Sequence, residues 1–300
     1  MDTAQALAEL GVNPDALSRE QIEQFDTLGY LIVPDVFSPA QVAEMRSEVD
    51  RLHKIEGEFG GHEVHIEPGA MRLSNLFNKS RSFDCCLHCA PTLAAAHYLM
   101  GEIRVYSLNA RNPGKGNGQQ PLHSDVPRAH ADDWRLVNTM IMLDDVTEEN
   151  GPTRVVPSSH KLVPINVPDI NMNEIERIEL TPEDEAIVPK DPLAIHPREI
   201  HLTGQSGSVA VTNGRIWHGG TCNRSGASRR VLHLAICRRD IPQQFNEREH
   251  LTKDLLERTS PAERYLLDIE GAEPKVLDPL ALPKDARVWK SADAVVVNRY

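Results

Sequence analysis

The chain has 300 residues, 40% of them hydrophobic, enough for one large domain or two modest ones. Its formal net charge of −12, uninterrupted by any dense Lys/Arg run, argues against nucleic acid as a partner. No apolar run approaches a membrane span, and the opening MDTAQALAEL has neither the regions of a signal peptide nor the arginines of a transit peptide. A cytoplasmic protein with no membrane partner is therefore expected. Its five cysteines read as inert buried thiols rather than disulfides.

The predicted elements begin with a helix over 18–28, opened by the capping pair Ser18 and Gln21. Tyr30-Leu31-Ile32-Val33 reads as a short strand. Ser38-Pro39-Ala40-Gln41 opens a second helix, whose Val42, Met45, Val49 and Leu52 keep helical spacing. Residues 57–70, with Glu63, His65 and Glu67, read as a mobile loop, and 71–77 as a strand. Cys86-Leu87-His88-Cys89 resembles half of a zinc site, but no second such pair exists and 85–100 reads as helix. Residues 103–108 form a clear strand. The glycine-rich turn at 113–118 lacks the spacing of a phosphate loop. Strands follow over 136–143 and 153–156.

The stretch 162–197 carries seven acidic residues between Asp169 and Glu185 and little strand signal, and reads as a lid inserted in the barrel. Residues 207–240 read as two strands and the hairpin between them, turning at Asn213-Gly214. Two helices follow, the second opened by Ser260 and Glu263. Many strands with turns at short spacing point to a β-sandwich or jelly roll.

The chemistry gathers around Trp217-His218-Gly219-Gly220, where an imidazole stands beside two glycines that allow close approach. A lone histidine is more often structural, so partners are needed. His123-Ser124-Asp125 offers an imidazole and a carboxylate on the same side of an extended strand. With His218 they make the two-histidine, one-carboxylate set that leaves one face of an iron open. His130-Ala131-Asp132 has the same spacing, but it runs straight into the 136–143 strand and reads as a solvated strand entry. Arg229 and Arg230 face opposite sides of their strand, so one at most serves the site.

In order, His123-Ser124-Asp125, Asp-Asp-Val-Thr-Glu-Glu-Asn-Gly at 144–151, Val-Val-Pro-Ser-Ser-His at 155–160, Trp-His-Gly-Gly and Arg229 resemble the phytanoyl-CoA dioxygenase family. The resemblance spans Tyr30 to Cys237. It implies a mainly β fold with flanking helices and a double-stranded β-helix core, the cupin-like jelly roll, as a single domain over 1–300. Residues 1–100 would form the N-terminal flank, 101–240 the core and 241–300 the C-terminal helices and tail. It implies Fe(II) on His123, Asp125 and His218, with 2-oxoglutarate as cosubstrate and O2 as oxidant.

Arg229 matches the family's anchor for the distal carboxylate. Gln120, Thr153 and Arg72 match further cosubstrate contacts, while Asn150, Gly151, Pro157 and His160 match the fold signature. Gly220 departs from the family, where a serine or similar group is often found. The expected reaction is hydroxylation, or a related oxidation, of a small or medium metabolite. A halogenase is disfavoured because Asp125 occupies the ligand position that halide needs. A cupin-like metal-dependent binder or isomerase is the alternative. The oligomeric state is open, a homodimer included.

Overall fold

Alternation along two strands decides the architecture. Val137, Thr139 and Ile141 point one way, and Leu136, Asn138 and Met140 the other. Leu232, Leu234 and Ile236 likewise oppose His233 and Ala235. One face is aliphatic and the other polar, so the sheet must bury the first under helices and enclose the second. The computed structural model, which describes residues 1–13, 15–168 and 181–282, shows both.

The order is α1 (Thr3–Glu9), α2 (Arg19–Leu28), β1 (Tyr30–Val33), α3 (Pro39–Glu56), β2 (Ala70–Leu73), α4 (Leu76–Lys79), α5 (Ala90–Met100), β3 (Ile103–Pro113), β4 (Leu136–Met142) and β5 (Thr153–Val155). It continues with α6 (Pro182–Ile187), β6 (Ile200–Leu202), β7 (Val209–Asn213), β8 (His218–Gly220), β9 (Val231–Arg238), α7 (Glu247–His250), α8 (Lys253–Arg258) and α9 (Pro261–Leu267). Six strands form an antiparallel sheet in the order β1-β7-β4-β9-β3-β2, and three form a second sheet, β6-β5-β8. The two make the jelly roll. Among the described residues no helix is long and apolar enough to cross a membrane.

The aliphatic face of the large sheet packs under α3, α5 and the C-terminal helices in one continuous core that includes Met45, Leu93, Leu234 and Leu266. Each buried leucine there contributes roughly 1.5–3 kcal/mol. The capping pairs at Ser18, Ser38 and Ser260 form as read from sequence. A bulge between Val105 and Ser107 lets both Tyr106 and Ser107 reach the enclosed face.

Several expectations are corrected. Residues 207–240 are not a hairpin: β7 and β9 both pair with β4, which lies between them, and β8 belongs to the other sheet. The strand expected over 71–77 stops at Leu73, because Asn75 is left-handed (φ 56°) and opens α4. The helix over 85–100 is two, a 3-10 helix (Arg81–His88) and α5, parted at Cys89. Among the described residues three helices, not two, follow Asp240. Within the expected lid, α6 forms behind a capping box of Thr181 and Asp184, while residues 169–180 lie outside the described part.

The 57–70 segment is anchored by buried ion pairs rather than loose. Lys79 Nζ lies 2.7 Å from Glu56 Oε1 and also contacts Glu63, whose Oε2 accepts from Ser74 Oγ at 2.9 Å. Glu56, His62 and Glu63 converge as metal ligands would, but the Lys79 ammonium already supplies their cation.

Behind this cluster Glu247 is fully buried and accepts from Asn78 Nδ2 at 2.9 Å. Burial pushes its carboxyl up to about 8, against the Asn78 hydrogen bond. A raised acid binds its proton more tightly folded than unfolded, so stability falls as pH rises from the ordinary 4.5 towards 8. The gap is worth roughly 5 kcal/mol at most. Glu247→Gln, neutral throughout, should flatten that decline. Denaturant unfolding at pH 5 and pH 8 checks it: the variant's advantage should appear only at the higher pH.

Candidate active site

The glycines after His218 determine where the site forms. A Cβ at Gly219 would stand 2.9 Å from the Pro121 carbonyl, and one at Gly220 would stand 2.4 Å from that of Gly118. Only without side chains can 118–121 lie across β8. The two histidines then bond reciprocally through their backbones, His123 N–H to the His218 carbonyl and the reverse, both at 2.9 Å. Asp125 N–H donates to Gly214 at 2.8 Å.

This brings His123, Asp125 and His218 together. Asp125 Oδ1 lies 3.5 Å from His218 Nε2 and 3.9 Å from His123 Nε2, and the ligand atoms lie within 4.8 Å of one another. Each histidine engages its Nδ1 with a backbone carbonyl at 2.9 Å, Pro121 for His123 and Ile216 for His218. That fixes the tautomer and leaves both Nε2 atoms for a metal. Asp125 Oδ2 accepts from Asn138 Nδ2 at 3.0 Å.

Burial and the neighbouring His218 push His123 down to about 4, keeping it a neutral ligand. Burial works against the Asp125 anion, but the histidines and Asn138 outweigh it and hold the carboxyl well below its usual range. Burial also disfavours charge on His218, and Asp125 overcomes it, raising that imidazole. A divalent cation would take over the role of that proton. The other candidate motif fails: His130 and Asp132 are exposed.

A cavity of about 130 Å³ opens beside the triad. Its wall is the enclosed face of the large sheet, read in rows. Ser107, Ala235, Asn138 and Thr212 share one row, and Asn109, His233 and Met140 the next. Arg72 and Arg111 stand opposite each other in a third. Successive rows are roughly 7 Å apart.

Arg229 lies beyond the third row and meets the cavity through Thr153, which lines it. It sits just before β9 rather than on it, and is 1% exposed. Its Nη2 donates to Thr153 Oγ1 at 3.1 Å, while Nε and Nη1 are buried with no hydrogen-bond partner. Burial, and then Arg111, pull its pKa down to about 9, so it stays charged at neutral pH. Arg230 turns the other way, to Asp50 and Asp144.

Gln120 Oε1 accepts from Gly220 N–H at 2.9 Å. The serine expected at 220 is missing because its Cβ would have no room. Arg72 reaches the cavity but donates to Glu67 at 3.0 Å.

Sequence reasoning overlooked Arg111, Glu67, Asn138 and His233. Arg111 donates from Nε to Glu67 Oε2 at 2.8 Å, and Glu67 is held ionised against burial by Arg111 and then Arg72. Burial, with Arg72, Arg229 and Arg111 around it, keeps His233 neutral. A signal was available: Arg111 and Asn138 are polar residues inside otherwise apolar strands. Three arginines against one glutamate leave two net positive charges around the orphaned Arg229 nitrogens. Such a pocket fits a dicarboxylate, and the nitrogen, nitrogen and oxygen donor set fits iron(II).

Asn150 brackets its turn, Oδ1 accepting from Thr147 N–H and Nδ2 donating to Asp145, and the His160 ring packs on Gly29. Both are structural.

The chain is similar to several known proteins. Ectoine dioxygenase of Bordetella parapertussis is 28% identical over 225 residues, 70% of this chain and 72% of its own. L-proline trans-4-hydroxylase of Streptomyces griseoviridis is 26% identical over 70% of this chain and 82% of its own. Among solved structures, HygX from Streptomyces hygroscopicus with nickel and 2-oxoglutarate bound superposes with a TM-score of 0.58 at 20% identity, over 76% of this chain and 89% of that one. The carbocyclase SnoK from nogalamycin biosynthesis gives 0.58 at 20% identity, over 83% and 94%. The family model for phytanoyl-CoA dioxygenase (PhyH) matches residues 25–231, and this chain belongs to that family.

Proposed function

We propose that this protein, an iron(II)- and 2-oxoglutarate-dependent dioxygenase, holds iron on His123, Asp125 and His218 and clasps the far carboxylate of 2-oxoglutarate with Arg229. The observation that carries this reading is the pair of buried, unpartnered Arg229 nitrogens on a side chain that bonds Thr153, in the wall of the cavity that a complete ligand triad also lines. Iron bound there would let O2 act as the oxidant, one oxygen atom going to 2-oxoglutarate as it leaves as succinate and carbon dioxide and the other oxidising an unactivated C–H of a small or medium metabolite. The chain's own share is positioning. His123 and His218 present Nε2 because their Nδ1 protons are committed to Pro121 and Ile216. Asn138 turns Asp125 so that one oxygen faces the histidines. Thr153 aims Arg229, and Gln120 is fixed by Gly220 N–H. Arg111 and Arg72 add charge complementarity, and Glu67 keeps them from repelling one another. The test is 2-oxoglutarate conversion to succinate with iron(II) and oxygen. Slow turnover without substrate is expected, lost on chelation, and zinc should not replace iron. No succinate under any of these conditions would refute the reading.

The 57–70 segment and the segment expected as a lid supply part of the cavity's wall through His65 and Pro168. Arg154 ties the second to the site, donating to Gln120, Pro192 and Ala194 carbonyls at 2.8–3.0 Å. Both segments act as covers that tighten over bound substrate. Hydrogen exchange in peptides from 57–70 and 181–197 should slow when 2-oxoglutarate and substrate are bound; unchanged exchange would remove them from that role.

A further inference from the structure

Among the described lining residues the arginines, Arg72 and Arg111, lie at the cavity's cosubstrate end. At the opposite end, past the row of Ser107, Ala235 and Asn138, the described lining residues include no Lys or Arg. Ser107 and Gln244 stand there, joined to Asn109 of the middle row in a neutral hydrogen-bonded cluster. Ser107 Oγ donates to Gln244 Oε1 at 2.8 Å, and Asn109 Nδ2 donates to Ser107 Oγ at 3.1 Å and to Gln244 Oε1 at 3.2 Å. Asn109 is 6% exposed, and its Oδ1 is buried without a hydrogen-bond partner.

We infer that the substrate offers Asn109 and Gln244 a neutral group that both donates and accepts hydrogen bonds, a carboxamide, lactam or hydroxyl, and not a carboxylate or phosphate. The inference rests on the reading of the site given above. Once the internal bonds are made, the two amides have one acceptor, Asn109 Oδ1, and one donor, Gln244 Nε2, left over. Turning both amides over exchanges these roles but still leaves one donor and one acceptor. A carboxylate placed there would meet an acceptor, while the nearest arginine row among the described residues, that of Arg72 and Arg111, lies a further step along the sheet. A purely apolar group would leave the Asn109 oxygen orphaned. Sites built on such buried polar pairs reject a mismatched analogue by large factors.

The experiment uses the full chain loaded anaerobically with iron(II) and 2-oxoglutarate. Binding of 2-oxoglutarate is confirmed first by calorimetry; its failure would refute the site reading rather than this inference. The loaded protein is then titrated with two matched sets: L-proline, L-prolinamide and L-prolinol, and cyclohexanecarboxylic acid, its carboxamide and cyclohexylmethanol. Amide or alcohol should bind at least about tenfold more tightly than the matching acid. Gln244→Leu should erase that preference, and Gln244→Arg, which places a cation at the same spot, should turn it towards the acid. Acids binding as tightly as their neutral partners in the parent would overturn the inference. So would silence from both sets at millimolar concentration, or an unaltered preference in both variants.

Discussion

Asp125→Ala is expected to lower iron-dependent succinate formation by at least about a hundredfold, beyond the 10–100-fold typical of lost outer-sphere partners. Asp125 is the only carboxylate in the triad, so the variant loses a ligand and the one negative charge facing a divalent ion. His123 and His218 keep their orientation, because Pro121 and Ile216 hold them independently of Asp125. Weak metal binding should therefore survive while coupling is lost. Asn138→Ala tests the same point one step out: the carboxylate remains but loses the hydrogen bond that turns it, and activity should fall by about 10–100-fold. Anaerobic iron titration and succinate formed per oxygen consumed, in parent and both variants, check this order. Full turnover in Asp125→Ala would mean that another carboxylate completes the site.

Arg229→Ala is expected to weaken 2-oxoglutarate binding by roughly 2–5 kcal/mol, about thirtyfold to several thousandfold, with little change in iron affinity. The side chain is buried, and two of its guanidinium nitrogens are left for the ligand. Arg229→Lys should recover only part of the loss, since an ammonium cannot pair a carboxylate in parallel. Thr153→Val should cost less again, because it removes a hydrogen bond that aims the guanidinium rather than the charge itself. Arg230→Ala is the control. Its partners are Asp50 and Asp144, on the far side of the strand, so it should lower stability and leave cosubstrate affinity unchanged. Calorimetric titration of the iron-free and iron-loaded protein separates the effects. Equal affinity in Arg229→Ala and parent would remove Arg229 as the anchor.

That His123 and Asp125 share a side, and that Arg229 and Arg230 turn apart, were legible in the sequence because both rest on local rules. A spacing of two puts His123 and Asp125 on one side of extended backbone, and neighbouring residues there face opposite ways. The helix starts at Ser18, Ser38 and Ser260 were legible for the same reason, since a cap is satisfied within one turn. Strand pairing was not. Asn213-Gly214 marks a true turn, yet β4, some seventy residues earlier, takes the place between β7 and β9. Nor could composition show that residues 57–70 are anchored, since Lys79, Arg72 and Arg111 are what hold their glutamates. By itself the sequence determined which side chains could ligate iron and which face of each strand they would take. Only the tertiary structure decided that Glu67 joins Arg111 and Arg72 near Arg229, and that no described Lys or Arg lines the opposite end of the cavity. Local rules act through backbone geometry within a few residues, whereas the charge of a cavity is set by residues far apart in the chain and brought together by sheet register.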